Sequence, residues 1–301
     1  MDIKTFKGLN NVSDPLRLGL GWLATADNVN VTDTGGVTKR QGFTKVKTGA
    51  YTGGYTTLDF ARMYLADGGY IKTFDDTVLT PLTSMAPMFW TEANDTVYYN
   101  NGVDSGTIAP DNAVGLWRGA PMSYGAGFKG DDGKDLAVLY DTLPLGTDVV
   151  QFWRGVMYAA QYFPSEDQTV VWFSEPMGYH LFNLDSNFFM VPGQVLMLAP
   201  TKESLLVGTN NRIYATDAKS LEVLAEYGVV PGQHWSKDDE GRTLFWSTRG
   251  VCAAKPFENL TERQVSVAPG VRAGGCVMRS GGQKRYVVAL QQGSSAFNPY
   301  S

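Results

Sequence analysis

Six times along this chain a short run of alternating apolar and aromatic residues ends in a glycine or asparagine turn, and the runs are roughly evenly spaced. The copies lie at residues 63–71, 97–103, 170–173, 205–214, 244–251 and 286–290. With Tyr64, Tyr98, Val171, Leu206, Phe245 and Val287 as centres, the steps are 34, 73, 35, 39 and 42 residues. The long step is about two periods, and residues 136–140 are the expected missing copy. A period near 37 residues built of short strands implies units that bury their apolar faces only against neighbours. The expectation is an all-β, β-propeller-like fold of about six or seven short antiparallel blades, imperfect where the spacing breaks.

Composition agrees with this reading. At 301 residues and 43% hydrophobic content the chain is long enough for one large all-β domain or two smaller ones. Thirty-four Gly and fourteen Pro beside 12% aromatic residues describe turn-rich β structure, not low complexity. A balance of 25 basic against 30 acidic residues, net charge -5, excludes a protein that grips phosphate backbone over a broad surface. Cys252 and Cys276 are too few for a disulfide framework. The N-terminal residues lack an apolar signal core, and no run approaches the ~18 apolar residues of a membrane span; neither export nor membrane spanning is expected.

Residues 1–50 differ from the rest, with few aromatics and seven basic against four acidic side chains. They read as an arm carrying a hairpin, with residues 29–31 and 37–39 flanking the turn Asp33-Thr34-Gly35-Gly36. Residues 51–301 form the propeller-like domain. A ring of blades must cover its last sheet edge, so a strand from residues 29–46 is expected to complete the final copy. Residues 218–227 have helical spacing ended by Gly228, yet fit the outer strand of a blade equally well.

Residues that could carry chemistry are sparse. His180 and His234 are the only histidines, and neither has triad or zinc-ligand spacing around it. Both cysteines sit in strand-like apolar settings, where a thiol behaves as a small hydrophobe. Residues 125–130 match the letters G-x-G-x-x-G, but a turn follows where a phosphate would need a helix N-terminus. Residues 236–243 resemble the Asp-box turn of sialidase-type propellers, a structural hairpin turn in those proteins. Glu175, Asp185 and Asp238 are available to a glycosidase, yet nothing selects a pair. The acidic runs at 131–132 and 238–240 read as solvated turns, without EF-hand spacing. No catalytic, cofactor-binding or metal residue is assigned.

The N-terminal residues carry a resemblance. Phe6-Lys7-Gly8-Leu9-Asn10-Asn11, and then the stretch from Ala26 through Asn28 and the turn to Arg40-Gln41-Gly42-Phe43, resemble the opening of tailed-bacteriophage structural proteins, where an A-x-N, short strand, G-x-x-x-R-x-G pattern precedes propeller-like repeats. The tail nozzle and packaged-DNA-stabilising hub proteins of short-tailed phages are of this kind. Asn28, Gly36, Arg40, Gly42 and Phe43 carry the match; Gln41 departs from it, and the chain is shorter than is usual there. Asn28, Gly36, Gly42 and Phe43 are equally explained as turn, cap and core-anchor residues, and Arg40 is the one with scope for an intersubunit role.

The resemblance implies a non-enzymatic virion structural protein of a tail or head-to-tail neck. It would form a ring homo-oligomer that lines or seals the DNA exit path, contact other tail, portal or adaptor proteins, and touch DNA only transiently and non-specifically. No cofactor is implied, and the implied location is the virion, assembled in the host cytoplasm. Loop aromatics such as Trp117 or Phe188-Phe189 serve either as interface anchors or as blade core. The alternative is a carbohydrate-binding or glycosidase-type propeller, such as a receptor-recognising tail component, in which Trp90, Trp117, Trp153, Trp172 and Trp235 include sugar-stacking platforms. A third reading is an intracellular protein-interaction propeller.

Overall fold

Strands whose two faces are both apolar need cover on both sides, and stacked antiparallel meanders supply it. The structure is a computed structural model that describes residues 5–293 apart from residues 28, 33, 41, 43, 125–128, 130, 132, 134–137, 255 and 281–282. Blade one comprises Tyr51–Thr56, Met63–Asp67, Tyr70–Thr73 and Val78–Pro81. Blade two comprises Phe89–Ala93, Thr96–Asn100, Ser105–Ile108 and Val114–Gly115. Blade three has Thr147–Trp153, Val156–Phe163 and Gln168–Glu175, whose outer edge carries both Gly178–Phe182 and Phe188–Pro192. Blade four is Val195–Pro200, Leu205–Thr209, Ile213–Thr216 and Leu221–Ala225. Blade five is Ser236–Lys237, Thr243–Ser247, Gly250–Ala254 and Glu258–Asn259. A hairpin, Arg272–Ser280 with Gln283–Gln291, follows. The fold is all-β and β-propeller-like.

Five of the six sequence centres fall on the second strand of a sheet. Val171 falls on the third strand of blade three, and most of the long step is supplied by residues 116–146, between blades two and three. No full blade fills the gap among the described residues. Val138–Tyr140 pairs there only with Met122–Tyr124, and residues 136 and 137 lie outside the described set. The described sheets are therefore five blades and four two-stranded pairs, of which the terminal hairpin is the blade-like unit nearest to a sixth.

The chain divides into two units, residues 49–233 and residues 1–48 with 234–301. In the first, each interval between neighbouring blades holds its own apolar core. Tyr64, Ile71, Trp90, Val97 and Ile108 fill the interval of blades one and two. Trp117, Leu143, Val150, Met157 and Phe182 fill the next, and Trp153, Val171, Val191, Leu198, Leu205 and Val207 fill that of blades three and four. Burying side chains of this size stabilises by roughly 1.5–3 kcal/mol each.

Residues 221–225 settle as a strand. Asp217 accepts the N–H groups of Lys219 and Ser220 and the Ser220 hydroxyl, while Ala218 takes φ +73°. The backbone N–H of Ser220 and then that of Lys219 hold the Asp217 carboxyl down at about 2. That acceptor imitates a helix N-cap in sequence, but the left-handed Ala218 reverses the chain onto Ile213–Thr216 instead.

The second unit corrects one expectation. Val29–Val31 pairs with Val37–Lys39 alone among the described residues and completes no blade. Its turn is tied back to the start of the arm, where the Phe6 N–H donates to the Gly35 carbonyl at 2.7 Å. A different residue joins arm to C-terminal part. Asn11 donates its backbone N–H to the Gln264 carbonyl at 3.0 Å and its amide to the Ser266 carbonyl at 3.0 Å, and its side-chain oxygen accepts the Ser266 N–H at 2.7 Å. A side-chain amide here stands in for a paired strand.

Leu205→Ala, at a fully buried position in the core of blades three and four, is expected to lower unfolding free energy by about 2–5 kcal/mol. Leu145→Ala, at an exposed position, is expected to stay within about 0.5 kcal/mol of the parent. Urea unfolding followed by tryptophan fluorescence measures both.

Candidate functional site

The densest polar network lies where the Asn100-Asn101-Gly102 turn of blade two meets the start of blade three. Asn100 is fully buried, and its amide donates to the Thr147 carbonyl at 2.5 Å. Asn101 uses its side-chain oxygen to accept the N–H groups of Val103 and Asp104, and its amide donates to the Ser84 carbonyl and to Asp104. Gly102 takes φ +90°, which lets the chain turn there. Arg118 then spans the joint, donating to the carbonyls of Val103 at 3.1 Å, Leu143 at 3.1 Å and Pro144 at 3.2 Å. The guanidinium presents its donors in a fixed planar fork, which suits three carbonyls arriving from different turns.

Two carboxyls in this region are pushed in opposite directions. Burial raises Asp104, but the Thr83 hydroxyl, the N–H groups of Thr83 and Ser84 and the Asn101 amide outweigh it, so its carboxyl sits below the usual range. Burial pushes Asp148 up, and the N–H of Val149 offsets only part of that. Opposed shifts are what acid–base chemistry uses. Here Asp104 turns to residues 83–84 and joins two blades, whereas Asp148 turns to its own strand, so the two do not face a common site.

A second joint connects blades one and two near the opposite strand ends. Glu92 is the one charged side chain among the buried described residues. It accepts the Leu58 N–H at 2.9 Å and the Tyr55 hydroxyl at 3.3 Å. Burial first, then the Glu92 charge, drives the Tyr55 phenol far above its ordinary value. Arg62 adds bonds to the carbonyls of Ala109 and Asp95. Between blades three and four the Trp153 indole donates to the Thr201 carbonyl at 2.9 Å, and Arg154, stacked over that indole, donates to the Lys202 carbonyl at 3.1 Å. Periodicity points to apolar positions and misses all three joints; Arg62, Arg118 and Arg154 have only their nearness to turns as a signal.

The residues singled out by sequence sit mostly in packing or turns. Gly36 accepts the Thr32 N–H at its carbonyl and donates its own N–H to the Thr32 hydroxyl, but Gly35 is the residue at positive φ, +79°. Arg40 and Gly42 are exposed just beyond the hairpin; Asn28 and Phe43 lie outside the described residues. His234 is buried and accepts the Trp246 N–H through Nδ1 at 3.2 Å, whereas His180 is exposed. Cys252 is buried against Ser247 and Cys276 is exposed. Asp238 accepts the N–H groups of Glu240 and Arg242 and pairs with the Arg242 guanidinium, a structural hairpin turn as the Asp-box pattern implies. Asp239 pairs with Arg279 and Lys284. Glu175 accepts the Asn187 amide and Asp185 lies in a turn. The G-x-G-x-x-G match lies largely outside the described residues. Trp90, Trp117 and Trp153 are 1%, 1% and 5% exposed and belong to blade cores, while Trp172 and Trp235 are half-buried. No helix among the described residues is long and apolar enough to cross a membrane.

The fold and these joints define a propeller-like all-β protein whose buried polar groups are spent partly between blades and partly on the turns of their own blade. No protein-family model matches the chain, and no curated protein matches it. Among solved structures it is similar to the extracellular domain of a hybrid two-component system from B. thetaiotaomicron at 11% identity and TM-score 0.42, over 74% of this chain and 30% of that one. It is similar to a gluconolactonase from Xanthomonas campestris at 14% identity and TM-score 0.45, over 81% of this chain and 86% of that one. It is also similar to the AfRom2 CNH domain at 8% identity and TM-score 0.41, over 80% and 94%. The chain thus spans less than a third of the B. thetaiotaomicron protein, and no activity is carried over from any of them.

Asp104→Ala strands the N–H groups of Thr83 and Ser84 and is expected to cost about 1–3 kcal/mol near neutral pH. Because the folded carboxyl lies below its unfolded value, that difference holds above about pH 4 and shrinks as pH falls through the folded value. Asp148→Asn works the other way. Its folded carboxyl lies above the unfolded value, so wild-type stability is lost as pH rises from about 4, and the amide is expected to raise the urea midpoint at pH 7 but not below pH 4. Denaturation series across pH read both signs.

Proposed function

We propose that this chain is a non-enzymatic assembly subunit, of the kind its N-terminal pattern resembles: a structural protein of a bacteriophage tail or head-to-tail neck. The observation that carries the reading is the exposed apolar surface of the arm. Asn10 caps a turn by accepting the N–H groups of Val12 and Ser13, and Asp14 caps the single 3-10 turn Pro15–Arg17. Between and beyond these caps Leu16 is 95% exposed and Leu20 60% exposed, with Val12 beside them. A folded loop that spends its polar groups on its own backbone and turns leucines outward is built to be covered. Ring formation and placement along the DNA exit path belong to the same proposal, as does the virion as its location. The net charge of -5 suits a conduit that does not hold DNA.

A second reading, the carbohydrate-binding propeller, has one specific support. Trp172 and Phe188 lie directly across from each other in blade three, with ring centroids 5.3 Å apart, and the Trp172 indole donates to Gln161 at 3.3 Å. A half-buried indole beside an exposed Phe188, with an amide next to them, offers a stacking face of the kind sugars use. Of the other four tryptophans named for this reading, Trp90, Trp117 and Trp153 are consumed by cores and Trp235 is half-buried.

Imaging of intact particles by electron microscopy is expected to place the chain in a tail or neck ring. The double substitution Leu16→Ser with Leu20→Ser is expected to leave the urea midpoint unchanged and to prevent incorporation. Absence of the chain from particles would sink the proposal. Glycan-array binding that disappears in Trp172→Ala would move the weight to the second reading.

A further inference from the structure

The arm folds on itself. Lys7 and Asn10 donate their N–H groups to the carbonyls of Gly21 at 2.7 Å and Leu23 at 2.8 Å, and Gly8–Leu9 lies parallel to Trp22–Leu23 and packs on it. Phe6 donates to the Gly35 carbonyl, so close that a side chain at position 35 would meet Thr5 at 3.0 Å and the Phe6 backbone at 3.1 Å. Among the described residues of 5–39, Asn11 alone hydrogen-bonds to residues 234–293, through its backbone N–H and both ends of its side-chain amide.

The exit from the arm is irregular. Residues 44–48 form neither helix nor strand, and four of the five are exposed. Ala50 donates its N–H to Asp67 at 2.7 Å, so the chain is held again where blade one begins. A self-contained unit that is joined through an irregular segment and pinned at one residue moves as a body when the pin opens. This pin is exposed. One such hydrogen bond is worth only about two- to tenfold in an equilibrium constant.

We propose that Asn11 is a releasable clasp: the arm docks on residues 264–266, opens as a folded flap about residues 44–48, and so carries Leu16 and Leu20 to positions the docked arm does not reach. The residue type fits the task. An amide both donates to the Ser266 carbonyl and accepts the Ser266 N–H, whereas a carboxylate in its place would only accept and would face that carbonyl with a charge. The use of the motion rests on the assembly reading; the motion itself is tested on the free chain, so either can fail without the other.

Amide exchange of the full chain, followed residue by residue by NMR, is expected to show the Asn11 and Ser266 N–H groups with the same protection, lower than that of Lys7 and Asn10. Asn11→Ala leaves the backbone acceptor at Gln264 in place, yet the N–H at position 11 is expected to lose protection roughly four- to hundredfold, with Lys7 and Asn10 unchanged. Asn11→Asp is expected to act in the same direction. Gly35→Ala, at φ +79°, is expected to do the reverse, exposing the Phe6 N–H and leaving position 11 protected. Spin labels at positions 16 and 267, which are 95% and 50% exposed, report the swing in a Cys276→Ser background, and their distance distribution is expected to broaden on Asn11→Ala. Unchanged protection at position 11 in Asn11→Ala overturns the proposal, because the arm is then held elsewhere. Equal acceleration of Lys7 and Asn10 overturns it as well, because the arm then unfolds instead of swinging, and so does a spin-label distribution that keeps its width.

Discussion

Everything in this structure depends on one constraint: a four-stranded sheet with two apolar faces is stable only between two others. The blade intervals answer it with separate cores. At the sheet ends, where water would otherwise reach the backbone, side chains complete the seal. Arg62, Arg118 and Trp153 with Arg154 each reach across an interval to carbonyl oxygens of the neighbouring blade or its approach. Donors directed at carbonyls of the next blade fix its distance and angle as well as its contact. Thr91 does the same within the sheets, its hydroxyl oxygen accepting the Phe152 N–H at 2.9 Å.

That arrangement also takes up much of the aromatic richness of the chain. Trp117 donates its indole N–H to the Tyr179 carbonyl at 2.8 Å and meets Tyr98 edge-on. Trp246 donates to the Pro269 carbonyl. These side chains supply large apolar area and a single polar handle, which is what a wedge between twisted sheets requires. The carboxyls follow the same logic: Asp104, Asp217 and Asp238 are held below the ordinary range by turn donors, whereas Asp148 is raised by burial.

Much of the fold was legible in the sequence because the second strands repeat Tyr64, Tyr98, Leu206, Phe245 and Val287 at a nearly constant step. The step failed at blade three for a physical reason. Residues 116–146, between blades two and three, supply most of the extra length and hold only a two-stranded sheet among the described residues, and in blade three the sequence centre sits one strand later than elsewhere. Ring closure was misread because Asp33 to Gly36 is a strong hairpin signal, yet a hairpin is satisfied by its own two strands. Asn11, which does make the connection, does so with side-chain bonds that leave no periodic trace. The joint residues were illegible for a related cause: a guanidinium aimed at three carbonyls depends on where distant turns arrive, and no local spacing records that.

The account makes residues 49–233 a set of blades packed through separate cores and the arm the means of contact. Hydrogen exchange by mass spectrometry, on the purified chain and on phage particles in which the proposed role places it, tests that division most directly. The account predicts new protection in the particle at residues 12–20, with the blade interiors unchanged. Protection confined to the surface around Trp172 and Phe188, with the arm exchanging as in the free chain, would contradict it.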